Sequence, residues 1–203
     1  MTNSITHVVF DLGGVIVELK GSPIKSEWFS NNKTMEEVWE TWLVSEAPRA
    51  FESGAISATE FADRIVTELS LNVSASEFLQ YFSGLPIGPF PGAKELLLAV
   101  KNTHTTALFS NSNEIHWQRK MNEMALGPLF NEHFASHLMG MVKPDTEAFE
   151  KVLAELGVPA QQVLFFDDNQ MNVDAAQSVG MLAERVVGLE QLRAGLEKHN
   201  IVC

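Results

Sequence analysis

The sequence predicts an α/β fold, a doubly wound parallel sheet with a small α-helical lobe inserted after the first strand. Three observations carry this reading. Three apolar runs, Val8-Val9-Phe10, Thr105-Thr106-Ala107-Leu108-Phe109 and Val163-Leu164-Phe165-Phe166, each stop abruptly at polar residues. Unbroken apolar strands of this kind belong to parallel sheets covered on both faces. Helical patterns alternate with the runs, as they do in α/β layers. The stretch 22–82, by contrast, has no strand pattern at all.

The first strand, 5–10, ends at Asp11 and enters a glycine turn at Gly13-Gly14. The lobe follows. It holds three S/T-x-x-E sequences, Thr34 with Glu37, Ser57 with Glu60 and Ser74 with Glu77, each the signature of a capping box at a helix start. Behind them come apolar residues at one-face helical spacing: Met35, Val38, Trp39 and Trp42; Phe61, Ile65 and Leu69; Phe78, Leu79 and Phe82. Trp39, Trp42 and Phe61 read as the lobe's own core. The proline- and glycine-rich segment 84–91 reads as the return linker. The predicted division is a core of 1–20 and 84–203 with a lobe of 21–83.

After the linker a helix is expected over 91–101, opened by a proline, and the second long strand ends at Ser110-Asn111. Shorter strands are expected near 134–137 and 182–186. Helices are expected over 144–156, stopping at Gly157, and 171–179, stopping at Gly180. The tail 189–197 reads as an amphipathic helix with Leu192 and Leu196 toward the core. There is no internal repeat.

Composition bounds the function. The chain has 203 residues, 45% of them hydrophobic and 20% charged, an ordinary globular balance sufficient for one core and a modest extra lobe. A net charge of −12 disfavours nucleic acid and anionic membranes as partners. No apolar run is long enough to span a bilayer, and Met1-Thr2-Asn3-Ser4 has no basic region leading into an apolar stretch. The one cysteine, Cys203, permits no internal disulfide, which fits a cytoplasmic protein.

In open parallel sheets, ligands bind outside the carboxyl ends of the strands. Asp11, Ser110-Asn111 and Asp167-Asp168 stand at three such ends. Lys143 is held by the proline that follows it near a helix start. Three carboxylates in one cleft repel one another, and a divalent cation with hard oxygen ligands, Mg²⁺, removes that cost. A carboxylate beside it can attack phosphorus, while Ser110 and Lys143 bind the phosphoryl oxygens.

These motifs resemble those of the haloacid dehalogenase-like (HAD) superfamily, in its branch of small capped phosphatases. The matching residues are Val8-Val9-Phe10-Asp11-Leu12-Gly13-Gly14-Val15, Leu108-Phe109-Ser110-Asn111, Lys143-Pro144, and Phe165-Phe166-Asp167-Asp168 with Asn172 and Ala175-Ala176 beyond. Their order and spacing span the whole chain. The segment from Glu52-Ser53-Gly54 to Phe61, and Ser110-Asn111-Ser112-Asn113 with His116, resemble α-glucose-1-phosphate phosphatase. The resemblance implies a Rossmann-like core and hydrolysis of small phosphorylated metabolites through an aspartyl-phosphate on Asp11. It also implies that Asp11, the Gly13 carbonyl and Asp168 bind Mg²⁺ directly, and Asp167 through water. Ser110 and Asn111 would hold the phosphate, Lys143 would bridge it to the nucleophile, and Asn172 would support the site.

One position departs from the pattern. Most phosphatases of this family carry a second aspartate two residues after the nucleophile, a general acid–base; here Gly13 stands there. Its loss removes a factor of roughly 10²–10⁴ in rate. Substrates with good leaving groups tolerate that loss, and the sugar-phosphate relatives that the chain resembles also lack the acid. Glu18, His116 and Glu52 are the candidate substitutes. Two other functions share the motifs: a metal-independent haloacid dehalogenase, disfavoured by the paired Asp167-Asp168, and a non-catalytic protein that binds phosphorylated ligands.

Overall fold

The computed structural model describes residues 4–201, so Cys203 lies outside the described residues. The strands are β1 (His7–Phe10), β2 (Val17–Leu19), β3 (Pro86–Pro89), β4 (Thr105–Ser110), β5 (Glu132–Ala135), β6 (Val163–Asp167) and β7 (Leu182–Arg185). Five of them form one parallel sheet in the order β5-β4-β1-β6-β7. Phe10 of β1 lies beside Leu108 on one side and Phe166 on the other. The central strand therefore has the two long apolar strands as its neighbours, and their polar ends meet.

Strand residues alternate between the faces. Val8 and Phe10 pack with Leu96 and Leu97 of α5 (Ala93–Lys101) and with Leu192 and Leu196 of α10 (Gly188–Lys198). Val9 and Phe165 face the other way, onto Phe149 and Val152 of α8 (Thr146–Leu156) and Val173 and Ala176 of α9 (Gln170–Ser178). Helices thus cover both faces, as the unbroken apolar strands required. Phe10, Phe109, Phe149, Phe165 and Phe166 are fully buried, each worth about 1.5–3 kcal/mol by transfer. Gly195 brings α10 down onto the Phe166 ring, where an added Cβ would stand 2.7 Å from a ring carbon.

Three boundaries differ from those the pattern predicts. Gly92, at φ 86°, is the residue before α5, so that helix starts at Ala93 rather than at 91. Asp145 precedes α8, and Pro144 lies outside it after a cis peptide bond from Lys143. The β5 strand comes earlier than 134–137, because Ala135 already pairs with Ser110, the last residue of β4. Helix α6 (Glu114–Gln118) follows β4, and after β5 the chain turns into α7 (Ser136–Met139).

The lobe has four helices, not the three the pattern announced: α1 (Met35–Val44), α2 (Glu46–Glu52), α3 (Ala58–Glu68) and α4 (Ala75–Ser83). Only Thr34 and Glu37 close a full capping box. Ser57 and Ser74 accept from the Glu60 and Glu77 backbone N–H groups, but the Glu60 carboxylate turns instead to Arg64, at 2.5 Å. The additional helix, α2, is short and contains Pro48. Its first two N–H groups, from Glu46 and Ala47, are taken by the Glu68 carboxylate at the end of α3. Val38, Trp42, Phe51, Phe61, Ile65, Phe78 and Phe82 make one separate apolar cluster. Met35, at the first position of α1, is 59% exposed and does not join it.

The segment 84–91 is not a plain linker. Pro86–Pro89 is β3, paired antiparallel with β2 in a two-stranded ribbon. Its prolines stand at the two ends of the strand, where a missing N–H costs least. The chain thus enters and leaves the lobe along one hydrogen-bonded ribbon.

Candidate active site

All eight residues singled out for the site, Asp11, Gly13, Ser110, Asn111, Lys143, Asp167, Asp168 and Asn172, border one cavity of about 610 Å³. It opens at the carboxyl ends of β1, β4 and β6, where the chain switches from one side of the sheet to the other. The Asp11 N–H extends the sheet by donating to the Phe166 carbonyl at 2.8 Å. Gly14, at φ 72°, then turns the chain, and a Cβ there would collide with the Asp168 carboxylate. Glycine therefore lets the backbone approach that acid closely.

Lys143 is 4% exposed. Its ammonium donates to Asp11 Oδ1 at 2.8 Å, Asp167 Oδ2 at 2.5 Å and the Phe109 carbonyl at 2.9 Å. All three protons are used. Burial alone would lower its pKa, but the carboxylates of Asp11 and Asp167 prevail and hold it at about 12. The lysine is fixed from behind by Asn111. The Asn111 Nδ2 donates to the Lys143 carbonyl, and the Lys143 N–H donates to Asn111 Oδ1, both at 2.9 Å. No local sequence pattern marks the Asn111 side chain for this clamp.

Asp167 is fully hydrogen-bonded. Besides Lys143 on Oδ2, its Oδ1 accepts from the Asn169 N–H and from Asn172 Nδ2, both at 2.9 Å. Asp168 is different: burial first, then the charges of Asp11 and Asp167, push its carboxyl up to about 7. That crowding is what a divalent cation relieves. Among the described residues no three His, Cys, Asp or Glu side chains gather as a metal cluster, so a cation here would need a backbone oxygen beside the carboxylates. The donors able to face a cation are the Asp11 and Asp168 carboxylates and the Gly13 carbonyl, all hard oxygens suited to Mg²⁺. Asp167, its oxygens engaged, suits contact through water.

The far wall of the cavity belongs to the lobe and its ribbon. Trp39, Trp42, Leu43 and Phe82 line it with Leu19, Leu85 and Pro86. Trp42 thus serves both the lobe core and the cavity, beyond the core role read from its spacing. Two charged residues also stand there: Glu52, at the end of α2, and Lys120, 4% exposed in a π-helical turn over Arg119–Glu123. Nothing in the sequence marks Lys120 for this place. His116 reaches the cavity too, but its Nε2–H donates to the Phe82 carbonyl at 2.7 Å and its Nδ1 faces Asn113 Nδ2. Burial and Lys120 hold it neutral, with a pKa of about 3. Glu18 lies exposed on β2 and does not border the cavity. Among the described residues no helix is long and apolar enough to cross a membrane.

Fold and site together define a hydrolase centre on an α/β sheet, with an aspartate and a clamped lysine at the switch point beneath a helical lobe. The haloacid dehalogenase-like hydrolase profile matches residues 5–180, and the chain belongs to that family. It is 31% identical over 188 residues, 90% of each chain, to the sesquiterpene phosphatase astK of Aspergillus oryzae. It is 24% identical over 191 residues to a D-ribitol-5-phosphate phosphatase of Bacteroides thetaiotaomicron, covering 87% of this chain and 89% of the relative. A HAD family enzyme of the same bacterium, solved as a mutant with magnesium and inorganic phosphate, superposes with a TM-score of 0.75 at 25% identity over 89% of this chain and 93% of that one.

Proposed function

We propose that the protein is a Mg²⁺-dependent phosphatase of small phosphate monoesters that works through Asp11. The convergence of Asp11, Ser110, Lys143 and Asp168 on one cavity carries this reading. The related enzyme with magnesium and phosphate supports it. Asp11 attacks phosphorus and becomes phosphorylated, and water then releases phosphate. Lys143 holds the attacking carboxylate and offers positive charge to the transferring group. Ser110 and the Asn111 backbone bind phosphoryl oxygens, and Asn172 keeps Asp167 in place. Asp11, Asp168 and the Gly13 carbonyl would hold Mg²⁺, which would supply neutralising charge to the phosphate. We further assign 21–83 as the lid over this site, 1–20 and 84–203 as the catalytic core, and the cytoplasm as its place of action.

For the substrate's organic part there are two readings. The resemblance to α-glucose-1-phosphate phosphatase favours a sugar phosphate. The apolar far wall favours a hydrocarbon, because sugar hydroxyls need polar partners that Trp39, Trp42, Leu43 and Phe82 offer poorly; the sesquiterpene phosphatase relative points the same way.

Phosphate release from a panel of sugar, prenyl and acyl phosphates, with and without Mg²⁺, tests the reading. Asp11→Asn should abolish turnover while the fold survives. Retained activity in that variant would refute the assignment, and chloride release from a haloacid in the presence of EDTA would favour the dehalogenase. Tight binding of phosphate esters without turnover would favour a binding protein.

A further inference from the structure

Gly13 leaves the cavity without the acid that usually protonates a departing oxygen. Three residues were candidates to replace it, and the structure separates them. Glu18 points to solvent away from the cavity. His116 has both ring nitrogens engaged. Glu52 borders the cavity together with Asp11, and among the described residues its carboxyl is acted on by burial and by the charges of Lys120, Lys143 and Asp11, with no hydrogen bond to it.

The placement of Glu52 is also fixed. It ends α2, the lobe helix that docks on the core. On one side Arg49 reaches Asp145 of the core at 2.5 Å. On the other, Gly54, at φ 74°, lies so close to the His137 carbonyl that a Cβ would strike it. Farther on, the Ala58 N–H donates to Glu114 of the core at 3.1 Å. The Glu52 backbone therefore lies between contacts to the core on both sides.

We propose that Glu52 is the general acid–base of this phosphatase, supplying from the lobe what Gly13 cannot. The proposal rests on the phosphatase reading. In the first half-reaction an Asp11 oxygen forms a bond to phosphorus and the bond from phosphorus to the ester oxygen breaks. The electron pair of that bond stays on the leaving oxygen, which takes the proton of the Glu52 carboxyl and departs as an alcohol. In the second half-reaction the Glu52 carboxylate removes a proton from water as its oxygen bonds to phosphorus. The bond from phosphorus to Asp11 breaks, and orthophosphate and the free Asp11 carboxylate result. The groups that face Glu52 are Lys120, Lys143 and Asp11; burial, the largest influence, outweighs the two cations and holds the carboxyl at about 7. That value suits a group that must give and then take a proton near neutrality.

The experiment compares kcat/KM of Glu52→Gln on a simple alkyl phosphate and on p-nitrophenyl phosphate, whose leaving group needs little protonation. The expected result is a loss of roughly 10²–10⁴-fold on the alkyl ester and less than about tenfold on the aryl ester. Slow hydrolysis of the phosphoenzyme should also give a burst of p-nitrophenol. Adding Gly13→Asp to Glu52→Gln should restore alkyl phosphate turnover; the new Cβ meets only the flexible end of Leu19, at 3.2 Å. Gly54→Ala, which displaces the turn and leaves the carboxyl in place chemically, should reproduce the selective loss. An equal loss on both esters, or none, overturns the proposal. A wild-type protein that hydrolyses neither ester with Mg²⁺ overturns the phosphatase reading beneath it.

Discussion

At the scale of single residues, the Lys143 ammonium joins Asp11 to Asp167, and the Asn111 side chain holds that lysine by its backbone. Asp11, Ser110 and Asp167 stand where buried strands stop, and the sheet order brings those ends together. Lys120 was not legible. It reaches the cavity from a π-helical turn, and nothing in a lysine followed by Met121 and Asn122 distinguishes it from a solvated one. The Asn111 side chain was hidden for a related reason, since its partner is Lys143, far along the chain. Asn111→Ala should lower kcat about 100-fold through a misplaced lysine and cost about 1–3 kcal/mol in urea unfolding, because it strips two backbone groups of their partners. Wild-type turnover in that variant would show that the lysine needs no clamp. His116 makes a prediction about pH. Its folded pKa of about 3 lies below the ordinary 6.5, so the unfolded chain binds the extra proton first. Stability from this group is complete above about pH 6.5 and is lost as pH falls toward 3, at about 1.4 kcal/mol for each pH unit. Glu52 and Asp168, both held at about 7, act in the opposite sense. The measurement is therefore the difference between wild type and His116→Gln between pH 7 and 5. A constant difference would mean that the imidazole does not stay neutral in the fold.

At the scale of elements, periodicity located the long strands of the sheet and the helices α5, α8, α9 and α10 that cover it, but not where each helix began. Gly92 and Asp145, not the prolines before them, precede α5 and α8. What escaped was built on distant contacts. The β3 strand exists because β2 lies beside it. Helix α2 has too few residues to announce itself and receives its N-terminal acceptor from Glu68 on another helix. Ser45 joins the same carboxylate through its hydroxyl at 2.7 Å. Glu68→Ala should therefore destabilise the lobe by about 1 kcal/mol, the ordinary worth of a helix cap. Hydrogen exchange should rise in α2 first. Faster exchange spread evenly over α1, α3 and α4 would argue that the carboxylate holds the lobe in general rather than this helix.

At the scale of the whole molecule, the net charge of −12 opposes the anionic substrate proposed for it. Screening should therefore help. KM for a phosphate ester at saturating Mg²⁺ is expected to fall as salt rises from about 10 to 150 mM, over which the Debye length shrinks from about 30 to about 8 Å. A KM that rises instead would place a steering cationic field at the cavity mouth. The ribbon of β2 and β3 carries a consequence of its own. Both covalent links to the lobe leave side by side and are bonded to each other, so they act as a single pivot. The contacts through Arg49, Gly54 and Ala58 form a separate catch. If 21–83 is the lid proposed above, swinging it away would have to release that catch while the pivot holds, and residues that never meet the ester would set the gate's timing.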